Sequence, residues 1–221
     1  MKAMVLAAGR GERMRPLTDT TPKPLLQVRG KPVIVWTIER LARAGFRELV
    51  INHAHLGHKI EQSLGDGRRF GVSIRYSPEA EALETAGGIA NALPLLGSEP
   101  FVVVNGDIYC DYDCSRLRAR SLDGRLAHLV LVPNPEHNPG GDFVLDSSEI
   151  RMEGGPKHTF SGIALYRPEL FQGVQRGSKG RMLPLWVEAI GQRRVGGELH
   201  TGVWHDVGTP QRLAALNQPG A

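Results

Sequence analysis

Through the first half of the chain, short and continuously apolar stretches alternate with segments whose apolar residues recur at helical spacing. No other feature narrows the possible folds as much. Met1 to Ala8 reads as a strand that is apolar on both faces. Val33 to Ala44 reads as a helix, with Ile34, Ile38, Leu41 and Ala42 on one face and Gly45 placed to end it. Further strands are expected over 48–52, 72–77 and 101–104. Helices are expected over 56–64 and from a Thr85 cap through Leu93. Strands buried on both faces and joined by helices imply a parallel sheet with helices on either side.

The second half is less regular. Strands are expected over 126–132, 143–146, 160–166 and 203–207, with helices over 181–190 and 210–216. The expected fold is therefore α/β, with a Rossmann-like, mixed and mostly parallel sheet flanked by helices. With 221 residues, no internal repeat and no long linker, the chain reads as a single domain over 1–221, with halves at 1–110 and 111–221.

Composition excludes several alternatives. Hydrophobic residues at 41% and charged residues at 23% are globular values, which rule out coiled coil, collagen and wholesale disorder. No run approaches the roughly 20 apolar residues of a membrane span. The apolar opening is too short for a signal-peptide core, so the cytoplasm is the expected location. Cys110 and Cys114 match neither a redox pair nor a zinc site, and reduced thiols are expected. A net charge of +4 permits an anionic partner. Aromatic residues are only 6% and none lies between Met1 and Lys31, which argues against a nucleic-acid surface built on stacking.

The first apolar strand runs directly into Gly9-Arg10-Gly11-Glu12-Arg13-Met14-Arg15-Pro16-Leu17-Thr18. A glycine-rich turn at the carboxyl end of a strand lets backbone amides approach phosphate oxygens. The Rossmann fingerprint fails, because Met14 stands where its third glycine belongs and the second strand ends in Asn52-His53 without an acid. The Walker pattern fails because Pro16, Pro22 and Pro24 prevent a helix from opening there. What remains is a proline-stiffened loop presenting Arg10, Arg13, Arg15 and Lys23, suited to phosphate.

Leu-Ala-Ala-Gly-x-Gly-x-Arg, then Pro-Leu-Thr and Pro-Lys-Pro, resembles the signature of sugar-1-phosphate nucleotidylyltransferases. Three more segments extend the resemblance over most of the chain: Glu84-Thr85-Ala86-Gly87-Gly88, Val104-Asn105-Gly106-Asp107, and Trp204-His205-Asp206-Val207-Gly208-Thr209. It implies a glycosyltransferase-A-like fold, with residues 1–110 as the nucleotide-binding half and 111–221 as the sugar-phosphate half. The segments 52–57, 64–67, 74–79 and 141–143 are similar to members that use UTP and an amino-sugar 1-phosphate. Relatives using glucose or mannose 1-phosphate, GTP or dTTP share the main motifs, and a catalytically silent nucleotide-sugar sensor is the reading from another class.

What the resemblance implies for individual residues can be set beside their chemistry. Gly11, Glu12, Arg13 and Lys23 would cradle the triphosphate, with Lys23 and Arg13 also acting in catalysis. Asp107 and Asp206 would hold Mg2+, a cation that prefers one or two carboxylates plus water and phosphate oxygens. They stand 99 residues apart (206 − 107), so only the fold can bring them together. Glu79 and Gly87 would serve the nucleoside, with Glu79 accepting from uracil N3–H where many relatives carry glutamine. Asn105, Asp142 and Asp206 would face the sugar phosphate. The expected assembly is a monomer or weak homo-oligomer that binds neither nucleic acid nor membrane.

Overall fold

The computed structural model describes residues 1–218, so the last three residues of the expected 1–221 domain lie outside the described residues. The chain opens on β1 (Ala3–Leu6), and after α1 (Leu17–Thr20) it forms a small ladder of β2 (Gln27–Val28) with β3 (Lys31–Pro32). Then come α2 (Val33–Arg43), β4 (Glu48–His53), α3 (Gly57–Leu64), β5 (Ser73–Pro78), α4 (Glu84–Leu96) and β6 (Phe101–Asn105). The second half begins with β7 (Ile108–Cys110), α5 (Ser115–Arg118), β8 (Ala127–Val132), β9 (Phe143–Asp146) and β10 (Glu149–Arg151). It continues with β11 (Lys157–Tyr166), α6 (Met182–Gly191), β12 (Val195–Leu199), β13 (Trp204–Asp206) and α7 (Pro210–Leu216).

Nine strands form one sheet in the order β5-β4-β1-β6-β11-β8-β12-β10-β9. β5, β4, β1 and β6 run parallel, as the strand–helix alternation requires. β11 lies antiparallel between β6 and β8, which makes the sheet mixed. The continuous apolar character of β1 follows from burial on both sides. Val5 packs with Ile34, Ile38 and Leu41 of α2, while Met4 packs with Ala86, Ile89 and Ala92 of α4.

The structure departs from expectation where packing overrides local pattern. Val195-Gly196-Gly197-Glu198 has the composition of a turn, yet forms β12 inside the sheet. Ile150 explains the glycine there: a Cβ on Gly197 would lie 2.4 Å from its Cδ1, so the neighbouring strand's side chain fills that space. Thr85 does not cap α4, which starts at Glu84. Gly180 instead supplies its carbonyl to the amides of Ala86 (2.9 Å) and Gly87 (3.1 Å), so a remote loop satisfies the helix N-terminus.

β12 also carries Glu198 into a half-buried cluster. Its carboxylate meets Arg120 at 2.6 Å, Arg116 at 3.2 Å and the Tyr112 hydroxyl. Burial pushes this carboxyl up. The nearby His128 imidazole, the Tyr112 hydroxyl and the Arg116 charge more than offset that, and hold it at about 2 against an ordinary 4.5. A depressed carboxyl stabilises the fold above its unfolded-state value, and the contribution is lost as pH falls toward its folded-state value. Urea unfolding between pH 7 and pH 2 should therefore show wild-type stability falling from about pH 5 downward. Glu198→Gln should be less stable at pH 7 and lose less on acidification.

Candidate active-site cleft

Strand register builds the site. Leu6 of β1 pairs with Asn52 of β4 on one side and Asn105 of β6 on the other. The loop from Ala7, the end of β4 and the Asn105–Asp107 turn therefore leave the sheet side by side at its carboxyl edge, where open α/β sheets place their ligands. Ala7 N donates to Asn52 Oδ1 at 3.0 Å and Gly106 N to Leu6 O at 2.8 Å, which locks the three segments together. They border a cleft of about 500 Å³.

The glycine-rich loop forms one wall. Gly11 sits at φ +69°, and a Cβ there would lie 2.9 Å from Thr18 Cγ2, so glycine is required on both counts. Thr18 Oγ1 donates to Gly11 O at 2.8 Å and Met14 is fully buried, which pins the loop at two points. The amides of Gly9, Arg10 and Gly11 find no acceptor among the described residues and are free to donate to a ligand. Gly11, Glu12, Arg13 and Arg10 line the cleft. Arg15 does not; it pairs with Asp19 at 3.2 Å on the exposed side.

Lys23 opens a single 3-10 turn directly after Pro22, and its Cβ lies against Gly11 of the loop. Its side chain is only 12% exposed, and its ammonium contacts the Asp107 carboxylate. Asp107 in turn stands next to Asp206. β7 and β13 form an antiparallel ladder in which Asp206 faces Ile108, and Val207 N donates to Asp107 O at 2.8 Å. Two short strands thus close the 99-residue gap (206 − 107). Asp107 Oδ1 and Asp206 Oδ2 have no hydrogen-bond partner among the described residues. Two carboxylates with free oxygens beside a phosphate-sized cleft form a donor set that fits a hard divalent cation.

Other expected positions are placed differently. Glu79 is 7% exposed and does not line the cleft. Its Oε1 accepts from Asn52 Nδ2 at 2.7 Å and its Oε2 from Leu83 N at 2.9 Å. Against the expected uracil contact, the structure places the Glu79 carboxylate on Asn52, which does line the cleft. Gly87, expected on the nucleoside side, is packed at the start of α4. It presses against the 178–180 loop, where a Cβ would lie 2.3 Å from Ser178 O, and its amide already serves Gly180. Asp142, expected on the sugar side, accepts from Phe160 N at 2.7 Å and Asn138 Nδ2 at 3.2 Å and so clasps a turn. Asn105 does line the cleft.

Sequence reasoning passed over Asn52, His137 and Arg212. In the sequence Asn52 stands only as a strand end without an acid and as part of the 52–57 resemblance, although an amide at a strand end offers both a donor and an acceptor. His137 and Arg212 carry no motif, and only the fold brings them to Asp206. A second hollow of about 430 Å³ adjoins the first, sharing Arg10 and Ala82 and adding His55, Glu81 and Lys179.

A family model described as nucleotidyl transferase matches residues 2–141. The chain is 59% identical over 220 residues to the N-acetylmuramate alpha-1-phosphate uridylyltransferase of Neisseria meningitidis serogroup B, covering 96% of this chain and 95% of that protein. It is 41% identical over 216 residues to the UTP–glucose-1-phosphate uridylyltransferase of Synechocystis, covering 86% of this chain but only 56% of that protein. Among solved structures, a putative glucose-1-phosphate thymidylyltransferase from Bacillus anthracis superposes with TM-score 0.85 at 24% identity, over 98% of this chain and 94% of that one. That likeness shows a shared fold.

Because Glu79 accepts from two buried donors, Glu79→Gln must turn its amide group toward one of them. Urea denaturation should show a loss of about 1–3 kcal/mol, the scale for stranding a buried donor. Preference among nucleoside triphosphates should stay unchanged, since the carboxylate does not face the cleft.

Proposed function

The chain belongs to the nucleotidyl transferase family, and we propose that it transfers UMP from UTP to N-acetyl-α-D-muramate 1-phosphate, giving UDP-N-acetylmuramate and pyrophosphate. An oxygen of the sugar phosphate attacks the α-phosphorus, and the bond from that phosphorus to the pyrophosphate oxygen breaks in line. The reaction needs little covalent help from the protein. Its obstacle is charge, because two anions must meet. The observation that carries the reading is the convergence of free loop amides, Arg10, Arg13, Lys23 and Asp107 on one cleft, with Asp206 delivered alongside by the β7–β13 ladder.

Roles follow from placement. The amides of Gly9 to Gly11 and the Arg13 guanidinium hold the β- and γ-phosphates. Lys23, kept in place by Asp107, offers its ammonium to the charge developing around the α-phosphorus. Asp107 and Asp206 would hold Mg2+, which when bound supplies positive charge shared between the reacting phosphates. Asn105 faces the sugar-phosphate side. Among the described residues no helix is long and apolar enough to cross a membrane. The muramate substrate makes recycling of cell-wall amino sugar in the cytoplasm the proposed setting.

Pyrophosphate release measured over a matrix of UTP, GTP and dTTP against several sugar 1-phosphates, with and without Mg2+, tests the proposal. Turnover is expected with UTP and N-acetylmuramate 1-phosphate and to depend on the metal. Faster use of glucose 1-phosphate would reject the substrate while keeping the reaction class. Asp107→Asn should lower kcat at least about a hundredfold, the scale for losing one strong transition-state stabiliser. Near-normal turnover in a folded Asp107→Asn would remove Asp107 from the mechanism. Lys23→Met should cost a similar factor and respond little to added UTP.

A further inference from the structure

Asp206 carries two side-chain nitrogens, from Arg212 and His137, on one and the same oxygen. Arg212 Nη1 donates to Oδ1 at 2.8 Å, and His137 Nε2 lies 3.1 Å from that atom. Oδ2 has no partner among the described residues. It faces Gly208, where a Cβ would lie 3.0 Å from it, and Gly208 lines the cleft. One oxygen is tethered and the other is left without a partner among the described residues, beside cleft-lining Gly208.

Both tethers are built into the fold. Arg212 lies in the first turn of α7, its amide held by Thr209 Oγ1 at 3.3 Å. Its Nη2 fills the space of any side chain at 208, since a Cβ there would sit 1.7 Å away. Its Nε is buried without a partner, so the guanidinium is oriented by Asp206 alone among the described residues. His137 comes from a turn clasped at several points. Asn134 Nδ2 donates to Pro139 O (3.1 Å) and Lys157 O (3.0 Å), Thr159 Oγ1 to Asn134 Oδ1 (2.9 Å), and Phe160 N to Asp142 Oδ2 (2.7 Å). That rigid turn delivers an imidazole to the carboxylate.

We propose that His137 and Arg212 are positioning residues for Asp206, fixing its carboxylate so that the free oxygen faces a divalent cation in the cleft. The inference rests on the reading of Asp206 as a cation ligand. Hydrogen bonds to the far oxygen of a ligating carboxylate hold its orientation, and losing such a partner weakens metal binding about 10- to 100-fold. Simple charge neutralisation has the opposite sign: deleting a neighbouring cation would tighten the binding of a divalent ion.

Mn2+ titrated into the nucleotide-free full chain, with the free ion counted by electron paramagnetic resonance, separates these cases. His137→Ala and Arg212→Met should each weaken Mn2+ binding about tenfold or more. Arg212→Lys should recover part of the loss, and Asp206→Asn should weaken binding at least as much as either. His137 is 40% exposed, so its removal leaves the core intact even if Arg212→Met folds poorly. If Asp206→Asn weakens Mn2+ binding while His137→Ala leaves it unchanged or tighter, the positioning role is overturned and Asp206 stays a ligand. Unaltered affinity in Asp206→Asn rejects the ligand reading and the positioning role with it.

Discussion

The register of β1 between β4 and β6 is the constraint from which the rest of the molecule follows. Because Leu6 pairs with both Asn52 and Asn105, three loops emerge together at one edge of the sheet. A slip of one residue would turn Met4 and Val5 to the wrong faces and exchange the partners of α2 and α4. The packing that stabilises the sheet and the placement of the cleft are thus one requirement. Hydrophobic burial on both faces fixes the register, and the register fixes which loop amides stand opposite Asp107.

Around that frame the polar groups are arranged in layers. Glu79 holds Asn52, Asn52 holds the amide of Ala7, and Ala7 begins the loop whose free amides line the cleft. On the other side, the clasped turn around Asp142 and the start of α7 hold Asp206. Lys23 and Asp107 meet in the middle. Several residues with chemistry in their side chains do not touch the cleft. They keep backbone groups and carboxylates oriented in a site where charged reactants must be aligned rather than covalently activated.

Much of this was legible in the sequence. Apolar continuity identified β1, β4 and β6, and helical periodicity located α2 to within a residue. The Gly9–Arg13 loop and Lys23 announced themselves by composition and by flanking prolines. Position-specific roles were harder to read. Glu79, Gly87 and Asp142 sit in segments resembling nucleotide and sugar contacts, and the local hydrogen bonds and close backbone packing that engage them give no signal in the sequence. β12 was hidden because its two glycines look like a turn until Arg125 and His128 are seen filling the space at Gly196 and Ile150 the space at Gly197. His137 and Arg212 gave no local signal, since their partner lies on a different element.

By itself the sequence determined the α/β class, the parallel half of the sheet and the cationic glycine-rich loop. Each of these is written in contacts between residues close along the chain, as periodicity, backbone freedom or fixed proline torsions. Only the tertiary structure decided that β11 would enter antiparallel, that a loop carbonyl at Gly180 would cap α4, and that the β7–β13 ladder would set Asp206 beside Asp107. Those outcomes depend on pairings between residues tens of positions apart. Their energies come from burial and hydrogen bonding that exist only once the distant partner is in place.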